Sequence, residues 1–242
     1  MIDCKSQTLN RIISIQGYDG DVFTVSPDRL IELKKTIRAI YEQHEIVVID
    51  ALVDAISNAL IRQTHSDRDN PFVEHEETHG IRVAKNTMMA YQFFKNYYPT
   101  DIEKSKKDLG LLSDEVYKFI LITMGLLHDC NYFVNHDARE IKAIHSLKSA
   151  LSAYQAVDKS MKTILKHHGL SGTTIEKTMH CFYDAILCHN GDKQEVHFPH
   201  LLDSPIGQIP YAHYNLLEEL LHHCLEHDVS HAFISLCHPE VK

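Results

Sequence analysis

Apolar residues recur at three- and four-residue intervals through most of this chain. That period belongs to helices packed on one another rather than to strands. Leu30, Leu33, Ile37 and Ile40 follow Ser26-Pro27-Asp28, a helix start in which Pro is tolerated at the first turn. A second apolar helix is expected over about 46–63, and the polar run HSDRDNP at 65–71 reads as a linker or loop. Longer helices follow, the first over about 75–98 and stopped by Pro99, the next from Ser113-Asp114 to about 129. A capping box at Asp137–Glu140 opens a helix to about 157, and a shorter helix ends at His167-His168-Gly169. Thr173 with Glu176 is a second capping box, for a helix to about 189. Residues 190–210 hold three prolines and two glycines and read as irregular, before a final long helix over about 211–228. Only residues 11–25, alternating about Asp19-Gly20, suggest a β-hairpin. The expected fold is an all-α helical bundle with a small hairpin at its front. Residues 1–70 form an N-terminal extension and 71–242 the domain that carries the chemistry.

Composition removes several function classes. With 24 Lys and Arg against 33 Asp and Glu, the net charge is −9, and no basic run is present. Such a chain lacks the positive field that a nucleic-acid polymer needs. No apolar stretch approaches the ~18 residues of a membrane span. The start, MIDCKSQTLNRIISIQ, has no basic-then-apolar leader, so a cytoplasmic protein is expected. The six cysteines show no CxxC spacing and read as small buried residues in a reducing compartment. The absence of Trp speaks against sugar stacking and aromatic cages.

Histidine is the residue in excess, with 19 copies. His44, His65, His136, His213 and His238 lie in polar surroundings and need no role. Others fall on apolar faces. Leu121, Met124 and His128 share one face, and so do Ile175, Met179, Phe182, Ile186 and His189. The stripe Val83, Ala90, Phe94 extends back to His79. His145 stands in the first half of the intervening helix, beside Ile141 and Ile144. In an antiparallel bundle helix starts and ends alternate, so His79, His128, His145 and His189 gather at one end, with Asp129 beside them. Several neutral imidazoles in an apolar core need a shared partner. A divalent metal supplies one, and imidazole with carboxylate suits Mn, Fe, Co, Ni or Zn better than Ca.

These segments resemble the HD superfamily. His79-Gly-Ile-Arg82-Val83 is similar to its HxxRV opening, and Leu126-Leu127-His128-Asp129 to its LLHD signature. His145-Ser-Leu-Lys-Ser-Ala150 resembles the segment found in members with extra histidines, and Ala185-Ile186-Leu-Cys-His189-Asn190 the AIxxH segment. The likeness covers about 72–230. It implies a helical domain with one or two divalent metals that hydrolyses phosphate esters, often of nucleotides, by attack of a metal-bound hydroxide. It makes His79, His128 and Asp129 metal ligands, with Asp129 placed to bridge and His145 and His189 completing a second site. Arg82 and Lys148 become candidate phosphate contacts, and the substrate an anionic small molecule. The N-terminal extension either covers the bundle or builds a homodimer contact.

Two departures from the family pattern stand out. The run after Asp129 is Cys130-Asn131-Tyr132-Phe133 where members commonly carry Gly-Lys. No AD-like run supplies the last acidic ligand, which leaves Asp192, Asp203 and Asp228. Asp228 closes a helix that starts near the metal and would end roughly 25 Å away at about 1.5 Å per residue. Asp203 precedes that helix and is the expected ligand. The rival readings are a di-iron oxygenase on the same fold, and a regulatory or scaffold domain without turnover.

Overall fold

We describe a computed structural model of the chain over residues 13–16, 22–66, 77–111, 113–131 and 138–189. The architecture is all-α with one small hairpin. Strands β1 (Ile13–Gln16) and β2 (Val22–Val25) pair antiparallel, Ile13 opposite Val25 and Ile15 opposite Phe23. Ile15, Phe23 and Val25 turn inward. Seven helices follow among the described residues: α1 (Pro27–Glu42), α2 (Asp50–Ser66), α3 (Glu77–Tyr97), α4 (Pro99–Leu109), α5 (Asp114–Leu127), α6 (Ala138–His167) and α7 (Gly172–Cys188). No helix among them is long and apolar enough to cross a membrane. The Asp19-Gly20 turn, the Asp137 capping box and everything from 190 onward lie outside the described residues.

Two caps are those the sequence indicates. Ser26 Oγ accepts the Arg29 N–H at the start of α1, and Ser113 Oγ accepts the Glu115 N–H at the start of α5. Four helix assignments differ from the sequence reading. The second helix begins at Asp50, not 46, and takes in His65 and Ser66. Pro99 stops α3 but also opens α4, because its fixed φ and missing N–H suit a first helical turn. The break expected near 157 is absent. Ala150, Ala153, Val157, Met161 and Ile164 form one unbroken buried stripe, so α6 is a single helix of 30 residues. The cap of α7 is Ser171, whose Oγ accepts the Thr174 N–H at 3.2 Å, rather than Thr173. Glu176, the other half of that supposed box, receives Lys162 Nζ at 3.0 Å.

One apolar core joins all of these elements. It runs from Ile15 and Phe23 through Leu33, Ile37 and Ile56 to Phe119, Val157 and Phe182. α5 lies at its centre, with every residue from Val116 to Leu127 except Lys118 buried. Tyr41 Oη lies 2.8 Å from Thr123 Oγ1 and ties α1 to α5. The α3 face turned inward is Val83, Ala84, Thr87, Met88 and Tyr91, while Ala90 and Phe94 are only partly covered. The buried face is therefore rotated from the Val83–Ala90–Phe94 stripe read from sequence.

α3 and α5 cross at very short range. A Cβ on Gly80 would lie 2.7 Å from the Leu126 carbonyl oxygen, and one on Gly125 would lie 2.7 Å from Ala84 Cα. Only hydrogen at both positions lets the two backbones meet. This crossing sits directly beside His79 on one helix and three residues before His128 on the other.

Candidate metal centre

His79 occupies the first turn of α3, and the helices before it fix that turn. Arg29 of α1 donates through Nε and Nη2 to the two carboxylate oxygens of Glu77, at 3.0 and 2.7 Å. Thr64 of α2 accepts the Glu77 N–H at 2.9 Å. The start of α3 is thereby clamped to α1 and α2, with His79 two residues further on. His128 is the C-cap of α5 and His189 the C-cap of α7. His145 lies in the second turn of α6. Three helix ends and one early turn meet at Asp129.

The carboxylate of Asp129 stands between two pairs of imidazoles. Its Oδ2 lies 3.1 Å from His128 Nε2 and 3.5 Å from His79 Nε2. Its Oδ1 lies 3.0 Å from His189 Nε2 and 3.5 Å from His145 Nε2. Within each pair the two Nε2 atoms are 3.1 Å apart. His79, His128 and Asp129 could hold one metal ion, and Asp129, His145 and His189 another. Side-chain exposure is 19% at His79, against 0% at His128, 4% at His145 and 5% at His189. The centre opens toward His79.

The donor set fits a metal because of where the ring protons must be. His128 Nδ1 meets the Gly125 carbonyl at 2.9 Å, and His189 Nδ1 meets the Ile186 carbonyl at 2.5 Å. A carbonyl only accepts, so each Nδ1 carries the proton and each neutral ring presents a bare Nε2 lone pair. Both lone pairs face a carboxylate oxygen. A cation between them, proton or metal, turns that repulsion into attraction, and the backbone carbonyls hold the rings in the ligating tautomer. The charges agree. Burial works against ionised Asp129, but the surrounding His128, His189 and His79 outweigh it and hold its carboxyl well below the ordinary carboxylate range. Burial pushes His128 down despite Asp129, whereas at His189 the carboxylate overcomes burial and moves the ring up.

No family model, curated protein or solved structure matches this chain. The centre is therefore read from its own geometry. The four histidines and Asp129 singled out by helical spacing come together. Arg82 is exposed, and its Nη2 lies 3.3 Å from His79 Nδ1. Lys148 is half-buried on α6, one turn after His145. Asp203, with its alternatives Asp192 and Asp228, lies outside the described residues. Three structural contributors were not read from the sequence. They are Gly80 and Gly125 at the helix crossing and the Arg29–Glu77–Thr64 clamp. Gly125 did leave a signal, as an isolated glycine inside an apolar helical run that wants a packing reason.

Acidification should strip metal from this centre across the imidazole range. Protonated Nε2 cannot ligate, so occupancy falls as the pH drops through about 6.5. Because His189 is shifted up and His128 down, the loss should spread to both sides of that value. Equilibrium dialysis against a fixed metal concentration measures it. Loss confined to the carboxylate range, near about 4, would show that the imidazoles do not bind.

Proposed function

We propose that this chain is a metal-dependent phosphohydrolase of the HD type, acting on an anionic small molecule such as a nucleotide or a related phosphorylated compound. One observation supports it above the others: a single buried carboxylate offers one oxygen to each of two imidazole pairs, and in each pair one ring, His128 or His189, is held in the ligating tautomer by a backbone carbonyl. His79, His128 and Asp129 would hold one divalent ion, and Asp129, His145 and His189 a second. Bound there, such ions supply Lewis-acid chemistry, neutralising charge on phosphate oxygens and lowering the pKa of water.

The chain's own residues do the rest. His128 and His189 keep their protons on Nδ1, against backbone carbonyls, throughout. His79 differs, because Arg82 donates to its Nδ1. If His79 ligates through Nε2 its proton moves to Nδ1, and Arg82 loses that acceptor and becomes available to an anion. The segment after Asp129, which lacks the Gly-Lys of the family pattern, braces α6 instead. Asn131 Nδ2 donates to Ser152 Oγ at 2.7 Å, and the Asn131 N–H to Ser149 Oγ at 3.3 Å.

Metal analysis of the purified protein should find Mn, Fe, Co, Ni or Zn. A screen of nucleotides and generic phosphate esters with Mn, Co, Ni and Mg should then give turnover that a chelator removes. His128→Ala should lower that turnover at least about 100-fold, since even groups that only support a ligand cost 10–100-fold. Silence across the screen with metal bound would overturn the reading. The described centre has four imidazoles to one carboxylate, a nitrogen-rich set that also suits the di-iron oxygenase alternative. Iron in the protein together with oxygen consumption would favour that alternative.

A further inference from the structure

We infer that the groove between α1 and α3 receives the organic body of the substrate, a phosphorylated small molecule with a nucleoside-sized group, and that Lys85 joins Arg82 in holding its phosphate. The substrate class rests on the function proposed above, but the groove itself does not.

The groove has a volume of about 720 Å³, within the roughly 300–1,000 Å³ of small-molecule sites. It begins at Glu77 and Thr78, beside His79, and follows α3 as far as Met89. At about 1.5 Å per residue that is roughly 18 Å, long enough for a nucleotide laid along the helix. Arg82 lines it and also touches His79 Nδ1 at 3.3 Å, so groove and metal centre share a side chain. Its wall is largely apolar, with Leu33 from α1 and Ile81 and Met89 from α3. Met89 is 44% exposed, a large apolar side chain only partly covered by its neighbours.

Charge sets the class of ligand. The two acids that line the groove are both matched: Glu77 by the two-pronged Arg29 pair, and Glu32 by Lys35 at 2.7 Å. Among the described residues Lys85 has no carboxylate partner. Arg82 and Lys85 stand one turn apart on the groove side of α3. They form a local positive surplus on a chain of net charge −9. An apolar trough with two cations midway along its α3 wall, one of them touching the metal centre, suits an organic phosphate better than a neutral or cationic molecule.

Calorimetric titration of the full chain with AMP, adenosine and inorganic phosphate tests this without any turnover. AMP should bind, and adenosine and phosphate should each bind at least about tenfold more weakly. Lys85→Glu should weaken AMP at least about tenfold and leave adenosine unchanged. Thr36→Trp fills the groove from α1, where the Thr36 hydroxyl bonds only the Glu32 carbonyl of its own helix. It should abolish binding of both AMP and adenosine while metal content and thermal unfolding stay as in the wild type. Wild-type AMP affinity in either variant, or no binding by any of the four nucleoside monophosphates, would overturn the assignment. Groove binding without turnover of any phosphate ester would overturn only the hydrolase reading. Hydrolysis that both variants leave untouched would overturn only the groove.

Discussion

Asp129→Ala should leave the protein unable to hold metal at either half of its centre. The side chain is the one ligand common to both groups, with Oδ2 toward His79 and His128 and Oδ1 toward His145 and His189. His79→Ala, by contrast, leaves Asp129, His145 and His189 in place and should keep at least half of the metal. Stability should report the same difference. At a free metal concentration a hundredfold above Kd, a ligand that binds only the folded state adds about 2.7 kcal/mol. For a chain of this size that is a Tm increase of roughly 5–10 °C. The wild type should show it, and Asp129→Ala should show none. Metal content is measured by mass spectrometry and Tm by calorimetry with and without metal. Equal metal in wild type and Asp129→Ala would mean that the ions sit elsewhere.

The second large effect concerns no ligand at all. Gly125→Ala should destabilise the fold by about 1–3 kcal/mol, because its Cβ has to enter space held by the Ala84 backbone. Helix propensity alone argues the opposite, favouring Ala over Gly by about 1 kcal/mol. Gly172→Ala provides the comparison, since a Cβ there meets nothing within 4 Å. Gly172→Ala should be neutral or stabilising, and Gly125→Ala should lower Tm by several degrees and weaken metal binding as His79 and His128 are forced apart. If the two variants unfold together, α3 and α5 do not meet as closely as described.

The site was more legible in the sequence than the fold around it. An imidazole at the end of an apolar stripe is conspicuous, because His128 continues Leu121 and Met124, and His189 continues Phe182 and Ile186. Helix direction then brought them together. That inference survived two errors about intervening helices. α4 packs as a separate short helix and leaves α3 and α5 antiparallel, and the continuous α6 returns the chain to the centre through α7. Pro99 misled because the same rigid ring ends one helix and begins another. The α3 face was misjudged because Ala90 and Phe94 are apolar, while Thr87, a true core position, is not. Thr87 is buried at no cost, since its Oγ1 bonds the Val83 carbonyl of its own helix. Glycines at a crossing and a groove between α1 and α3 depend on which helices are neighbours in space. Periodicity within one helix does not contain that information.

α5 and α7 both end beside Asp129, at their C-caps His128 and His189. Each helix carries the equivalent of about half a negative charge at that end. The macrodipoles of two helices therefore converge on the point where the carboxylate already stands. Part of the attraction for a cation at this place thus comes from aligned peptide groups. It has no pKa and belongs to no side chain. It is as permanent as the helices themselves.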